Sequence, residues 1–184
     1  MKFTGLDDIE KRLFDYTLRT SNYDVSRDYI SLSHCAASVD ELVAMYQKGF
    51  ADTIESRLLC YKGYQMELDL VNRLVNAFGN MRIKTDVEIS EFGGRVKGHP
   101  DFTFDYYPGD CKSVLMNSWI PEDRLPRKVF WQMQAYMRYL KKDRGVVIYE
   151  SRELGIIKVF IVNENHEIQE KIHDKLQEVL TLLR

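Results

Sequence analysis

Apolar positions along this chain recur at two periods, and the switches between them sketch its elements. Over 63–78, Tyr64, Leu68, Val71, Val75 and Phe78 fall three or four apart, the spacing of one helix face, and Gly79-Asn80 supplies a stop. Over 82–90 apolar and polar residues alternate as on a half-buried strand, and Gly93-Gly94 marks a turn. Two further β-prone runs, 96–107 and 110–116, flank Pro108-Gly109 and read as a hairpin. The segment 116–126, polar and proline-containing, predicts a loop over the cleft that this hairpin lines. The helical period returns over 127–142, with Phe130, Met133, Met137 and Leu140 at core spacing. It returns again over 164–183, with Ile168, Ile172, Leu176, Val179 and Leu183, and the intervening runs 146–150 and 156–162 read as short strands. The first sixty residues read as helical. Leu6, Ile9 and Leu13 have helical spacing, and Ser38-Val39-Asp40-Glu41 forms a capping box before an apolar run that ends at Gly49.

The expected architecture is α/β, with a core in the order α-β-β-β-α-β and flanking N- and C-terminal helices. A chain of 184 residues suits one domain. We divide it into a helical N-terminal part (1–60), a core (61–163) and a C-terminal helix (164–184).

Composition narrows the class. Hydrophobic residues at 45% and charged residues at 29% are ordinary for a globular protein. The N-terminus lacks the apolar run of a signal peptide and no stretch reaches membrane-spanning length, which predicts a cytoplasmic protein without a membrane partner. Three cysteines, at 35, 60 and 111, are odd in number and too few for a four-cysteine metal site. Cys35 reads as a small buried hydrophobe and His34 as a capping or core residue. A net charge of −2 does not announce a nucleic-acid binder. It hides a local basic patch, however: Arg124, Arg127, Lys128, Arg138, Lys141, Lys142 and Arg144 face one acid, Asp143. Interleaved Trp131, Tyr136 and Tyr139 add the expectation of contact with a nucleic-acid backbone and stacked bases.

The chemistry concentrates on the hairpin. Side chains alternate across a strand, so Asp101, Thr103 and Asp105 share one face of the first arm, and Asp110 and Lys112 share one face of the second. Two carboxylates about 4 Å apart repel by roughly 4 kcal/mol at an effective dielectric near 20, so such a cleft takes up a proton or a cation. Hard divalent cations favour oxygen ligands. A lysine beside them can orient a water or stabilise developing phosphate charge. Exposed hairpins also carry Asp and Lys as ordinary solvated pairs, but here the chain's only Pro-Asp and only acid-x-Lys fall on the two arms of one hairpin. Glu67, at the edge of an amphipathic helix stripe, is expensive to bury unless paired or bound to a cation.

These residues resemble the PD-(D/E)XK nuclease superfamily, whose signature is an Asp on one strand and an acid-x-Lys on the next. Gly98-His99-Pro100-Asp101 resembles the Gly-x-Pro-Asp of its RecB-like exonuclease branch, and Asp110-Cys111-Lys112 the (D/E)-x-K. Gly63-Tyr64-Gln65-Met66-Glu67 is similar to the upstream Gly-x-x-x-(Glu/His), and Gln132-Met133-Gln134-Ala135-Tyr136 to the Gln-x-x-x-Tyr helix motif. The four motifs stand in the family's order over 63–136.

The resemblance implies the restriction-endonuclease-like α-β-β-β-α-β core and a metal-dependent deoxyribonuclease, most simply an exonuclease acting on DNA ends or single strands in recombination or repair. Carried over residue by residue, Glu67, Asp101, Asp110 and the Cys111 carbonyl would hold Mg²⁺ or Mn²⁺, with Asp105 the rival to Asp101. Lys112 would position the attacking water. Gln132 and Tyr136 would steady the strand or scissile phosphate, and Lys128 and Arg138 would contact the DNA backbone. RecB-like nucleases with an iron–sulfur cluster need three further cysteines near the C-terminus, and none follows Cys111, so no cluster is expected. The implied partners are DNA and a possible second copy or repair protein. The alternative is a catalytically silent subunit that binds nucleic acid or a partner protein, and cleavage of RNA in place of DNA remains open on the sequence.

Overall fold

The computed structural model describes residues 28–48, 54–115 and 124–184, so the readings around Leu6, Ile9 and Leu13, at Gly49 and over 116–123 lie outside the described residues. The helices are α1 (Val39–Lys48), α2 (Ile54–Phe78), α3 (Arg127–Leu140) and α4 (His166–Leu182). The strands are β1 (Ile30–Ser31), β2 (Ile83–Lys84), β3 (Ile89–Glu91), β4 (Val96–Gly98), β5 (Phe102–Phe104), β6 (Tyr107–Val114), β7 (Arg144–Ser151) and β8 (Ile157–Asn163). Five strands form the main sheet in the order β2-β5-β6-β7-β8, and β1-β4-β3 form a smaller one. The succession α2, β2, β5, β6, α3, β7 is the expected α-β-β-β-α-β, with β8 added at the edge.

Local chemistry explains where these elements begin and stop. The capping box before α1 is formed: the Ser38 N–H donates to Glu41 Oε2 at 2.8 Å and the Glu41 N–H donates to Ser38 Oγ at 3.2 Å. Asn165 caps α4 through Oδ1, which accepts from the Ile168 N–H at 3.0 Å. Helix α3 ends at Lys141, which takes the left-handed conformation at φ 55°.

The hairpin turn is corrected. It is Asp105-Tyr106, with φ of 47° and 77°, and Phe104 pairs with Tyr107. Two central residues with positive φ match the right-handed twist of the arms. Pro108 and Gly109 lie inside β6 instead, opposite Thr103 and Phe102. Pro108 precedes the first β6–β7 pair, Gly109 with Val146, so its missing N–H removes no bond to β7. A Cβ on Gly109 would stand 2.2 Å from the Phe102 ring, and only glycine allows that approach.

Two of the expected strand runs, 82–90 and 96–107, are corrected too, because each crosses between the sheets. The run 82–90 breaks at Asp86, which has φ 60°, into β2 in the main sheet and β3 in the small one. The run 96–107 breaks near Pro100 into β4 and β5. The segment read as helical before residue 38 contains β1, paired in parallel with β4, and a single 3₁₀ turn at Leu32–His34.

Helix α2 and helix α3 cover opposite faces of the main sheet. Leu70 and Val71 of α2 pack with Ile83, Phe102, Cys111 and Ile148, while Met133 and Met137 of α3 join Val147, Tyr149, Ile172, Leu176 and Val179 in the larger core. Burying each such side chain contributes about 1.5–3 kcal/mol. The stripe predicted for α2 is rotated: Tyr64, Leu68 and Phe78 are exposed, while Gly63, Leu70 and Val71 are buried. That rotation turns Glu67 from the edge of the buried face toward its centre. A buried amide ties α3 to α4: Gln134 Nε2 donates to Asn163 O at 2.8 Å, and its Oε1 accepts from the Asn165 N–H at 2.8 Å.

Candidate active site

The site arises where β6 outruns its neighbour. Pairing between β5 and β6 stops at Phe102 with Gly109, while β6 continues beside β7 to Val114. The edge of β6 on the β5 side is therefore open past Gly109, and unpaired backbone groups there require other partners. Two carboxylates supply them. The Cys111 N–H donates to Asp101 Oδ2 at 2.6 Å, and the Ser113 N–H donates to the Glu67 carboxylate from α2. A residue's N–H and C=O point to the same side of a strand, so the Cys111 carbonyl is directed along this edge as well.

Asp110 and Lys112 occupy the α3 face of β6. Asp110 is 2% exposed, and its Oδ1 accepts from Gln132 Nε2 at 2.9 Å. Its Oδ2 pairs with Lys112 Nζ at 2.6 Å. Gln132 Nε2 also lies 2.9 Å from the Tyr136 hydroxyl, which donates to the His99 carbonyl at 3.1 Å. The i, i+4 spacing of Gln132 and Tyr136 thus produces a buried chain from Asp110 to the segment before Asp101.

The charges of the site act on one another. Burial, then the neighbouring Asp110 and Glu67 charges, push the Asp101 carboxyl up to about 7 against the pull of Lys112. Burial, with the Asp110 charge, raises Glu67 as well. Burial favours neutral Lys112, but Asp110, Asp101 and Glu67 outweigh it and hold the ammonium charged well above its ordinary range. The Tyr136 phenol is raised by burial and by Asp110, which keeps it a neutral donor.

The donors are of the kind a hard divalent cation prefers: Asp101 and Glu67 lie on the open edge, the Cys111 carbonyl is directed along it, and Asp110 Oδ2, on the α3 face, is buried with no hydrogen bond beside its lysine ion pair. Among the described residues, no group of three or more His, Cys, Asp or Glu side chains is arranged to hold a metal ion. Each carboxylate is instead turned onto a protein donor: Asp101 onto Cys111, Glu67 onto Ser113, and Asp110 onto Gln132 and Lys112.

Glu67, Asp101, Asp110, Cys111 and Lys112 are brought together, with Gln132 and Tyr136 joined behind them. Asp105, the rival to Asp101, stands apart in the hairpin turn, where its carboxylate pairs with Arg82. Gln132 and Tyr136 are 5% and 2% exposed and have protein partners. The expectation that Trp131, Tyr136 and Tyr139 stack bases is corrected. Trp131 is buried between the cations of Arg127 and Lys175, and Tyr139 packs on Phe92 and His173. Arg138 is engaged with Glu170 at 2.7 Å, whereas Lys128 is exposed beside a cavity of about 370 Å³ shared with His34, Glu41 and Arg127. Cys35 is buried in the larger core, where burial lifts its thiol to about 12, and Cys111 is buried in the smaller one.

Two neighbours of the site carried no signal in the sequence reading. Ser113 follows Lys112 directly, and Arg152 is placed beside it through the pairing of Val114 with Ser151.

Solved structures share this architecture. One described as SSO0001 matches with a TM-score of 0.62 at 17% identity, covering 92% of this chain and 85% of its own. The alkaline exonuclease LHK-Exo from Laribacter hongkongensis, in complex with dAMP, matches with a TM-score of 0.64 at 15% identity, covering 94% and 92%. A phage-related exonuclease from Haemophilus somnus 129PT matches with a TM-score of 0.54 at 13% identity, covering 82% and 91%. The chain shares the fold of these two exonucleases. No family model matches the chain, and no curated protein does. Among the described residues, no helix is long and apolar enough to cross a membrane.

Proposed function

We propose that this chain is a metal-dependent deoxyribonuclease of the RecB-like type, an exonuclease acting on DNA ends or single strands. One observation carries the reading: Glu67, Asp101, Asp110 and Lys112, from three separate stretches of chain, lie near enough around β6 to act on one another's charges.

Glu67, Asp101, Asp110 and the Cys111 carbonyl would hold Mg²⁺ or Mn²⁺. When bound, such an ion lowers the pKa of a water and offsets charge on the leaving oxygen. Hydrolysis forms a bond from water oxygen to phosphorus and breaks one ester bond, whose oxygen leaves with a proton. Lys112 keeps a fixed positive charge beside the attacking oxygen, where negative charge develops. Gln132 holds Asp110 in one orientation, and Tyr136 fixes Gln132 against the His99 carbonyl. Contact with the DNA backbone falls to exposed cations such as Lys128, and a place in DNA recombination or repair is what the resemblance to the RecB-like branch implies.

The test uses purified protein with single- and double-stranded DNA labelled at either end, in Mg²⁺, Mn²⁺ or EDTA. Metal-dependent release of mononucleotides or short products from one end is expected. Binding of DNA without cleavage under every condition would favour a silent binding subunit.

A further inference from the structure

Three buried polar atoms lack hydrogen-bond partners among the described residues: Asp110 Oδ2, Ser113 Oγ and Arg152 Nε. All three belong to residues clustered at the end of β6. Asp110 Oδ2 at least has Lys112. The other two are donors without an acceptor, and leaving such groups buried and unpaired costs about 1–3 kcal/mol each. A native chain retains that cost where something else completes the site.

Arg152 is held firmly. Its N–H donates to Val114 O at 2.9 Å, and its Nη2 donates to Ser113 O at 3.2 Å. The Ser113 carbonyl lies on the same side of β6 as its N–H, so the guanidinium reaches the open edge where Glu67 is bound. Among the described residues, one of the five N–H donors in the fork has an acceptor. Arg73, Arg82 and Arg138 each pair with a carboxylate, whereas no ion pair is made by Arg152 among the described residues. Gly63 leaves room for the arrangement: a Cβ there would stand a tight 3.3 Å from Arg152 Nη2 and in ordinary contact, 3.7 Å, with Ser113 Oγ. The glycine one turn before Glu67 therefore brings α2 into close contact with the guanidinium.

We propose that Arg152 and the Ser113 hydroxyl form a phosphate subsite at the open edge of β6, which takes the phosphodiester adjacent to the scissile one; this rests on the nuclease reading above. The division of labour is electrostatic. The carboxylates attract a cation, and the planar fork beside them matches two oxygens of an anion. Holding the neighbouring phosphate fixes the register of the strand over Asp110 and Lys112. Arg152 thus acts in substrate binding, and its removal is read in KM more than in kcat.

The experiment is a methylphosphonate scan. Single-stranded oligonucleotides with one neutral phosphate at a time are cleaved by the parent and by Arg152→Ala, both checked by thermal melting. The parent should show a roughly tenfold or greater rise in KM at one position beside the scissile bond, the loss of one charged hydrogen bond. Arg152→Ala should show a raised KM on unmodified DNA and no further rise at that position, and Arg152→Lys should recover part of the loss. Equal sensitivity of parent and Arg152→Ala at that position, or an unchanged KM in a folded Arg152→Ala, overturns the subsite. If Arg152→Ala does not fold, Arg152→Lys and Ser113→Ala carry the same comparison. The same scan read by fluorescence anisotropy in EDTA, with Asp110→Asn as reference protein, separates this from the nuclease reading. A parent that cuts nothing but loses Arg152-dependent binding at one phosphate leaves the subsite standing and removes the enzyme; uniform binding across the scan removes the subsite.

Discussion

The amide N–H of Cys111 donates to Oδ2 of Asp101 at 2.6 Å, across the gap left where β5 ends. A side chain here replaces the missing strand, so one hydrogen bond both completes the edge of β6 and aims an acid at it. The same edge carries Glu67 on the Ser113 N–H. Crowding these acids has a consequence for stability.

Asp101 is raised from its ordinary 3.8 to about 7. A carboxyl with a raised folded pKa binds more protons folded than unfolded, so its contribution to stability is greatest below about 4 and is lost as pH rises toward 7. In EDTA the melting temperature should therefore fall between pH 5 and pH 8, and Asp101→Asn should flatten that slope. Adding Mn²⁺ at pH 8 should restore stability to the parent and much less to Asp101→Asn. A parent whose melting temperature rises over this interval in EDTA would contradict the arrangement.

Gln132 donates to Asp110 from a buried position, so Gln132→Leu should strand Oδ1 without a partner. We expect kcat to fall roughly ten- to a hundredfold, equivalent to about 1–3 kcal/mol, with KM changed little. Tyr136→Phe removes only the link to His99 and should show a smaller loss of the same kind. A rise in KM with kcat intact would instead assign Gln132 to the substrate.

Surface charge gives a graded expectation on α3. Lys128 is exposed, while Arg138 is already paired with Glu170. Lys128→Glu should weaken DNA binding and flatten its salt dependence more than Arg138→Glu does, because Lys128 has no carboxylate partner among the described residues and an unpaired cation displaces more condensed counterion from DNA. Salt titrations of binding with both variants check this, and a steeper effect at Arg138 would relocate the DNA path.

Gly109 stacks its backbone on the Phe102 ring, where a Cβ would approach to 2.2 Å. A ring clamped in the core cannot move aside, so Gly109→Ala should destabilise by at least about 1–3 kcal/mol. Denaturant unfolding measures this, and Gly109→Ala with Phe102→Leu should recover part of the loss.

Much of this site was legible because its residues sit at fixed offsets within single elements. Gln132 and Tyr136 share a helix face by their spacing, and Asp110 and Lys112 share a strand face by theirs. Ser38 and Glu41 announced α1 for the same reason. What escaped depended on pairing between distant strands. Pro-Gly is a stronger turn signal than Asp-Tyr, yet Gly109 is needed under Phe102, and the turn moves to Asp105-Tyr106. Aromatics beside cations look like a base-stacking surface, but Trp131 uses Arg127 and Lys175 as lids over a buried ring. Arg152 becomes a neighbour of Glu67 only through the parallel register of β6 and β7, which no local pattern records.

The nuclease reading stands or falls most directly on single-turnover cleavage of end-labelled DNA by the parent, Lys112→Ala and Asp110→Asn, in Mg²⁺, Mn²⁺ and EDTA. Lys112 is held charged beside Asp110, so its loss should lower the cleavage rate by at least about a hundredfold while DNA binding changes little. Asp110→Asn should cut nothing in Mg²⁺ yet bind DNA in EDTA at least as tightly as the parent, since negative charge has left the cleft. A parent whose cleavage persists in EDTA, or equals that of Lys112→Ala under every condition, would contradict it.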